Sequence, residues 1–133
     1  MSDILQEWSQ RIQRATSLKT PLRFRGGGTK DFYGQSLEGE LFDTRAYAGI
    51  LSYEPSELVV TVCAGTSLKE LEAALLEKGQ CLAFEPPHFG EGATVGGMVA
   101  AGLSGPSRAN LGNVRDFVLG AKMINGKGEQ LTF

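Results

Sequence analysis

Apolar residues change their spacing several times along the chain, and each change marks a predicted element. Ile4, Trp8, Ile12 and Ala15 recur at helical intervals in an otherwise polar segment, which predicts one amphipathic helix. Asp3-Ile4-Leu5-Gln6 has the spacing of a capping box with Asp3 as N-cap. Thr20-Pro21 closes this helix, because the residue before a proline is pushed out of the α region. The period then falls to two: Leu22-Arg23-Phe24-Arg25 alternates apolar and basic residues and predicts a short strand. Glu40–Thr44 and Gly49–Tyr53 are further candidate strands. The turn Glu54-Pro55-Ser56-Glu57 separates them from Leu58–Cys63, whose β-branched run is the strongest strand pattern in the chain.

Ser67-Leu68-Lys69-Glu70 is a second capping box, opening a helix with Leu68, Leu71, Ala74 and Leu75 on one face and Gly79 as a left-handed C-terminal stop. Gln80–Phe84 reads as a short strand ended by Glu85-Pro86-Pro87. From Gly90 to Gly105 small residues dominate, with Val95, Met98, Val99 and Leu103 at near-helical spacing, which predicts a short, tightly packed helix. Phe117–Ile124 is a strand, Asn125-Gly126 a hairpin turn and Glu129–Phe133 the return strand. Mixed strands with two to three packed helices make the fold class α+β. Residues 1–133 read as a single domain: an N-terminal helix over 1–20, and the remainder over 22–133. The sequence stops on an apolar strand residue, so the domain is expected to be incomplete at its C-terminal side.

The 133 residues carry a net charge of −2, which gives no global attraction to nucleic acid. No apolar run approaches the roughly 20 residues of a membrane span, and no apolar signal region opens the chain. These features predict a cytoplasmic protein. Eighteen glycines stand well above the usual share of about 7%, and they are clustered. Cys63 and Cys81 lie in apolar stretches without CxxC spacing and are expected to be buried, reduced thiols. One histidine, His88, cannot build a zinc site without partners. Beside Phe89 and two prolines it is expected to be a packed turn residue, with a base near a bound ligand as the alternative.

The chemistry concentrates in the glycine clusters. Arg25-Gly26-Gly27-Gly28-Thr29-Lys30 follows a predicted strand directly. Without Cβ atoms the backbone can take φ > 0, lie against a ligand and aim successive N–H groups into one anion-binding concavity. Thr29 adds a hydroxyl, and Arg25 and Lys30 add charge-assisted donors. A flexible tip with solubilising charges is the alternative. The segment around Ala93-Thr94-Val95-Gly96-Gly97 offers a helix start open to close approach. The same small residues would equally serve a helix pressed against a sheet. No GxGxxG follows a strand, and there is no GxxxxGK[ST], GxSxG or HExxH.

Taken in order, the motifs resemble a family. They run from Arg25-Gly-Gly-Gly-Thr29, through Tyr53-Glu-Pro-Ser-Glu57 with its strand and Ala64-Gly65, to Glu85-Pro-Pro87, Gly92-Ala-Thr-Val-Gly-Gly-Met98 and Gly112-Asn-Val-Arg-Asp-Phe-Val-Leu-Gly120. This order resembles the FAD-binding domain of the vanillyl-alcohol oxidase/p-cresol methylhydroxylase (PCMH-type) flavoproteins, and within it the flavin subunits of bacterial glycolate-oxidising complexes. The resemblance implies that Arg25, Gly26, Gly27, Gly28, Thr29 and Lys30 hold the FAD pyrophosphate. It implies that Pro87, Ala93, Thr94, Gly96, Gly97, Ala101, Gly102 and Ser104 contact the rest of the cofactor. Covalently flavinylated members place histidine near the position of Thr29, so non-covalent FAD is expected.

The implied role is the FAD-binding component of a 2-hydroxy-acid (glycolate) oxidoreductase, with FAD accepting the hydride. Its partners would be a small 2-hydroxy acid and sister subunits, which could also hold it peripherally at the inner membrane. Neither nucleic acid nor a transmembrane segment is expected. In this chain no residue stands out as a catalytic base. The alternatives are a flavin-free docking subunit, an inactive fragment and a generic nucleotide-phosphate binder.

Overall fold

The computed structural model describes residues 2–133. Helix α1 (Ser2–Leu18) lies over the parallel pair β1 (Leu22–Arg25) and β2 (Glu40–Asp43), in register from Leu22 opposite Glu40 to Arg25 opposite Asp43. The apolar stripe of α1 meets this pair through aromatic edges. Trp8 stands T-shaped on Phe42 at 5.2 Å and on Tyr47 at 5.8 Å, and Phe24 packs on Phe42 at 4.8 Å. Such pairs add stabilisation beyond burial alone, and Phe42 is among the most deeply buried side chains. The expected N-cap at Asp3 is not formed, because α1 already includes Ser2 and Asp3 sits inside its first turn. There the carboxylate still faces the favourable end of the helix dipole.

A second unit follows. β3 (Ile50–Glu54) and β4 (Val59–Val62) form an antiparallel hairpin around the 3₁₀ turn Pro55–Glu57, with Leu58 at φ 56° closing the turn. Helix α2 (Leu68–Glu77) starts at Ser67, whose hydroxyl accepts the Glu70 N–H at 3.0 Å, and stops before Gly79 at φ 67°. Both ends are the ones expected from the sequence. Leu68, Leu71 and Leu75 of α2 make the main core with Phe84, Ala93, Met98 and Val114, and Tyr53, Val60 and Val62 pack against it. Helix α3 (Val95–Ala101) runs from the Thr94 cap to Gly102 at φ 67°.

Two predicted strands take other forms. Gln80–Phe84 is irregular and pairs with no strand. Its groups find partners by side chain instead: Gln80 accepts from the Tyr53 hydroxyl and donates to the Pro55 carbonyl at 2.8 Å. The stretch expected as one strand from Phe117 opens in α5 (Val114–Phe117), which a capping box at Asn113 and Asp116 initiates, and α4 (Arg108–Leu111) precedes it. Only Lys122–Ile124 (β5) of that stretch is strand, paired antiparallel with β6 (Gln130–Thr132). The hairpin turn exceeds two residues: Asn125 N–H bonds Glu129 O, and the left-handed position is Gly128 at φ 76°, not Gly126. Cys63 is buried as expected, but Cys81 is exposed because its segment forms no strand to bury it; neither is in a disulfide.

Among the described residues no helix is long and apolar enough to cross a membrane. The architecture is α+β, with three separate two-stranded sheets.

Candidate functional site

The glycine turn leaves the carboxyl end of β1, the side of a parallel pair where ligands of α/β proteins characteristically bind. Its base is fixed from β2: the Thr44 N–H donates to the Arg25 carbonyl at 3.0 Å, and the Thr44 hydroxyl does so at 3.3 Å. Opposite the turn lies the segment that leads into α3. A Cβ on Gly26 would come within 2.5 Å of Thr94 Oγ1, and one on Gly27 would collide with the carbonyl of Gly92. A Cβ on Gly90 would touch Thr29 Cγ2 at 3.6 Å. The two glycine segments therefore form two walls in direct contact, Gly27 packed backbone to backbone on Gly92 and Gly26 on Thr94. Left-handed backbone is confined to Gly28 at φ 74°; Gly26 and Gly27 are needed for close approach rather than for φ > 0.

The second wall is anchored from behind. Leu68 N–H bonds Ala93 O at 2.8 Å, Val95 N–H bonds Thr66 O at 2.9 Å and Gly96 N–H bonds Ala64 O at 2.8 Å. Ala93 and Thr94 are buried, and Thr94 Oγ1 accepts the Gly97 N–H at 3.1 Å. With Met98 N–H on Thr94 O at 2.9 Å, every N–H of the first turn of α3 is engaged within the protein. A Cβ on Gly96 would lie 2.9 Å from both Ala64 O and Ala64 Cβ, whereas one on Gly97 would approach only Thr94 Oγ1, at 3.1 Å. Gly96 therefore serves helix packing, and Gly97 has room on its outer side.

The other predicted site residues are spread more widely. Ala101 and Gly102 are exposed at the far end of α3, roughly 10 Å from its start at the helical rise per residue. Ser104 is buried, and its hydroxyl already donates to Gly102 O at 3.2 Å and accepts Val114 N–H at 3.1 Å. Its role in the fold is to tie α3 to α5. Pro87 is half-buried in the loop before the second wall.

The charges around the turn are unevenly engaged. Arg25 donates from Nη2 to Asp31 Oδ2 at 2.8 Å and from Nε to the same oxygen at 3.1 Å, and its guanidinium folds back over Gly28. This pairing holds the Asp31 carboxyl below, and the Arg25 guanidinium above, their ordinary pKa ranges. Lys30 makes no ion pair among the described residues. Arg23, two residues before Arg25 on β1, keeps its Nε out of solvent with no hydrogen-bond partner. Among the described residues the N–H groups of Gly26 to Thr29 donate to no protein acceptor, and beside the unpaired Lys30 these free donors suit a phosphate-bearing ligand.

His88 lies outside the turn. Its Nε2 faces both carboxylate oxygens of Glu72, at 3.0 and 3.1 Å, on the rim of an open groove of about 430 Å³ lined by α2 and the Gln80–Pro86 segment. It is a turn residue held by hydrogen bonding to Glu72, a contact that sequence spacing did not reveal. Sequence reading also missed Asp31, Gly92 and Arg23. The sign pattern Arg25–Asp31 was visible, but only the folded loop brings the two together.

The family model described as FAD binding domain matches residues 5–133. Over 131 residues the chain is 49% identical to "Glycolate oxidase subunit GlcE" of Escherichia coli (strain K12), covering 98% of this chain and 37% of that protein. It is 33% identical over 131 residues to "D-lactate dehydrogenase" of Archaeoglobus fulgidus, covering 92% of this chain and 28% of that one. The chain thus spans well under half the length of these relatives. Among solved structures, alkyldihydroxyacetonephosphate synthase superimposes with a TM-score of 0.74 at 23% identity, over 96% of this chain and 25% of the other. The glucose dehydrogenase Phl p 4.0202 does so with a TM-score of 0.74 at 18% identity, over 94% and 26%. At these identities the structural likenesses speak to the fold alone.

Proposed function

The chain belongs to the FAD-binding domain family, and on that premise we propose that it holds FAD non-covalently as part of an enzyme oxidising a small 2-hydroxy acid, glycolate first among the candidates. That it is an FAD-binding oxidoreductase component follows from the family and from relatives named as hydroxy-acid oxidases and dehydrogenases. The choice of glycolate rests on the relative named as a glycolate oxidase subunit, and that name equally supports sister subunits as partners.

The observation that carries the reading is the glycine turn at the carboxyl end of β1, whose Gly26 to Thr29 N–H groups donate to no protein acceptor while Gly92-Thr94 packs against its base. In this reading the backbone N–H groups of Gly26 to Thr29, the Thr29 hydroxyl and the Lys30 ammonium bind the pyrophosphate. Gly97, Ala101 and Gly102 offer a surface of small residues along α3 for the remainder of the cofactor, with the buried Ala93 and Thr94 fixing where that helix starts. Pro87 shapes the loop that enters this wall; Gly96 and Ser104 hold α3 in place behind it. Bound FAD would supply the hydride acceptor. The residues of this chain contribute binding, orientation and shielding from water. The single histidine, His88, lies outside the turn and is paired with Glu72, which supports a non-covalent flavin.

An FAD titration followed by quenching of flavin fluorescence, with ADP as competitor, tests the reading. Saturable FAD binding that ADP weakens only at much higher concentration supports it. Absence of flavin binding in the full-length protein would leave a docking role instead. Equal affinity for ADP and FAD would leave a generic nucleotide-phosphate site.

A further inference from the structure

We propose that Arg25 and Asp31 form a clamp that shapes the glycine turn, and that the charge of the bound phosphates is met by Lys30, Arg23 and the backbone N–H groups instead. This rests on the reading of the turn as the pyrophosphate site and deepens it. A sequence with arginine directly before three glycines invites the opposite assignment, with Arg25 as the phosphate ligand.

The geometry points away from that assignment. Arg25 spans the turn and reaches Asp31 with two nitrogens, at 2.8 and 3.1 Å, with Nε also 3.3 Å from the second carboxylate oxygen. Its guanidinium lies over Gly28, the one residue of the triplet in the left-handed region. Below it the chain closes with Asp31 N–H on Gly28 O at 3.3 Å and Tyr33 N–H on Lys30 O at 2.9 Å. The fork geometry of the pair fixes direction as well as distance. An anion arriving here would meet a neutralised pair, or would have to displace a carboxylate already in place.

The pair is also poorly placed to be a stability device. The Arg25 and Asp31 side chains are 35% and 60% exposed, and exposed ion pairs contribute little to global stability. What such a pair can do is select one conformation of a short glycine loop, whose freedom is otherwise large. Free cationic capacity lies on either side. Lys30 follows the turn without an ion-pair partner among the described residues, and Arg23 shares the face of β1 that carries Arg25, its Nε unpartnered.

The two assignments predict opposite signs for one substitution. In the full-length protein, Asp31→Asn releases Arg25 and removes a negative charge from the site. If Arg25 were the phosphate ligand, affinity for FAD would rise or stay unchanged. If the pair is a clamp, Asp31→Asn and Arg25→Gln each weaken FAD and ADP binding by about 10-fold, the worth of roughly 1.4 kcal/mol. The double variant is then no weaker than either single one, and Asp31→Glu recovers most of the loss. Riboflavin, which has no phosphates, keeps its affinity throughout, and the melting temperature without FAD stays unchanged. Lys30→Gln should weaken FAD and ADP binding while leaving the clamp intact.

Lys30→Gln separates the two readings. If it keeps the parent's affinity for FAD and ADP, the turn is not the phosphate site and both readings fall. If it weakens FAD and ADP binding while Asp31→Asn binds as tightly as the parent, only the clamp is overturned. Equal melting losses with and without FAD in Asp31→Asn would likewise overturn it, in favour of a general structural role.

Discussion

Gly27 and Gly92 meet backbone to backbone, so closely that no side chain could stand between them. This contact joins an early and a late part of the chain, and the clearest consequences for mutation follow from it.

Gly27→Ala should damage the fold and the site together. The new methyl collides with main-chain atoms of Gly92, which cannot rotate aside as a flexible side chain would. Overpacking of this kind costs about 1–3 kcal/mol. The expected outcome is a lowered melting temperature in the FAD-free protein together with loss of FAD binding, measured by thermal unfolding and fluorescence titration.

Gly96 and Gly97, adjacent in α3, should respond differently. Gly96→Ala presses on Ala64 at 2.9 Å and is expected to lower the melting temperature of FAD-free protein. Gly97→Ala meets only the Thr94 hydroxyl at 3.1 Å and gains helix propensity of up to about 1 kcal/mol. It should leave the FAD-free protein at least as stable. If α3 lines the cofactor, Gly97→Leu should reduce the stabilisation that added FAD confers, because ligand binding raises apparent stability only in proportion to occupancy.

How far these sites were legible in the sequence differs by the range of the interaction. Ser67 and Gly79 announced both ends of α2, and Thr94 with Gly102 bracket α3 as glycine-rich spacing implied, because caps are local chemistry. The strand pattern of Leu58–Cys63 was also local and gave β4. Gln80–Phe84 has strand-like composition, yet a strand needs a neighbour, and Gln80 bonds to Tyr53 and Pro55 instead. Phe117 falls in α5 because Asn113 and Asp116 cap a single helical turn that apolar periodicity is too short to register. The glycine triplet stood out in the sequence as a candidate site, but the separate packing duties of Gly27 and Gly28 depend on Gly92 and on Arg25 paired with Asp31, which only the folded chain brings near.

Acid should weaken the protein through Asp43 at the end of β2. Its carboxyl is held down to about 2 by hydrogen bonds from the Arg45 side chain and backbone N–H, against burial, which acts in the other direction. A depressed folded-state pKa contributes stability that is fully present above the unfolded value of about 3.9 and is lost as pH falls through the folded one. Stability should therefore decline between about pH 4 and pH 2. Asp43→Asn should reduce stability at neutral pH and flatten that part of the curve, as read by denaturant unfolding at stepped pH.

The β5–β6 hairpin should make this chain self-associate. Leu119 is 82% exposed and Phe133 74%, and Met123 and Leu131 beside them are also exposed. Unpaired strand edges with apolar side chains recruit further strands. Sedimentation velocity should show mass rising with concentration, and Met123→Lys with Leu131→Lys should suppress it while leaving the α2 core unaffected.

The order in which the fold assembles follows from the parallel β1–β2 pair and from where its turn finds an opposite wall. Helices α1 and α2 close contacts between near neighbours and can form early. The contact between the two glycine segments must wait for Gly26 and Gly27 to find Gly92 and Thr94, a closure across about half of the sequence whose entropic cost precedes its reward. On the proposed reading of the turn, the capacity to bind belongs to the last stage of folding: flavin added to a refolding chain would report completion rather than guide it.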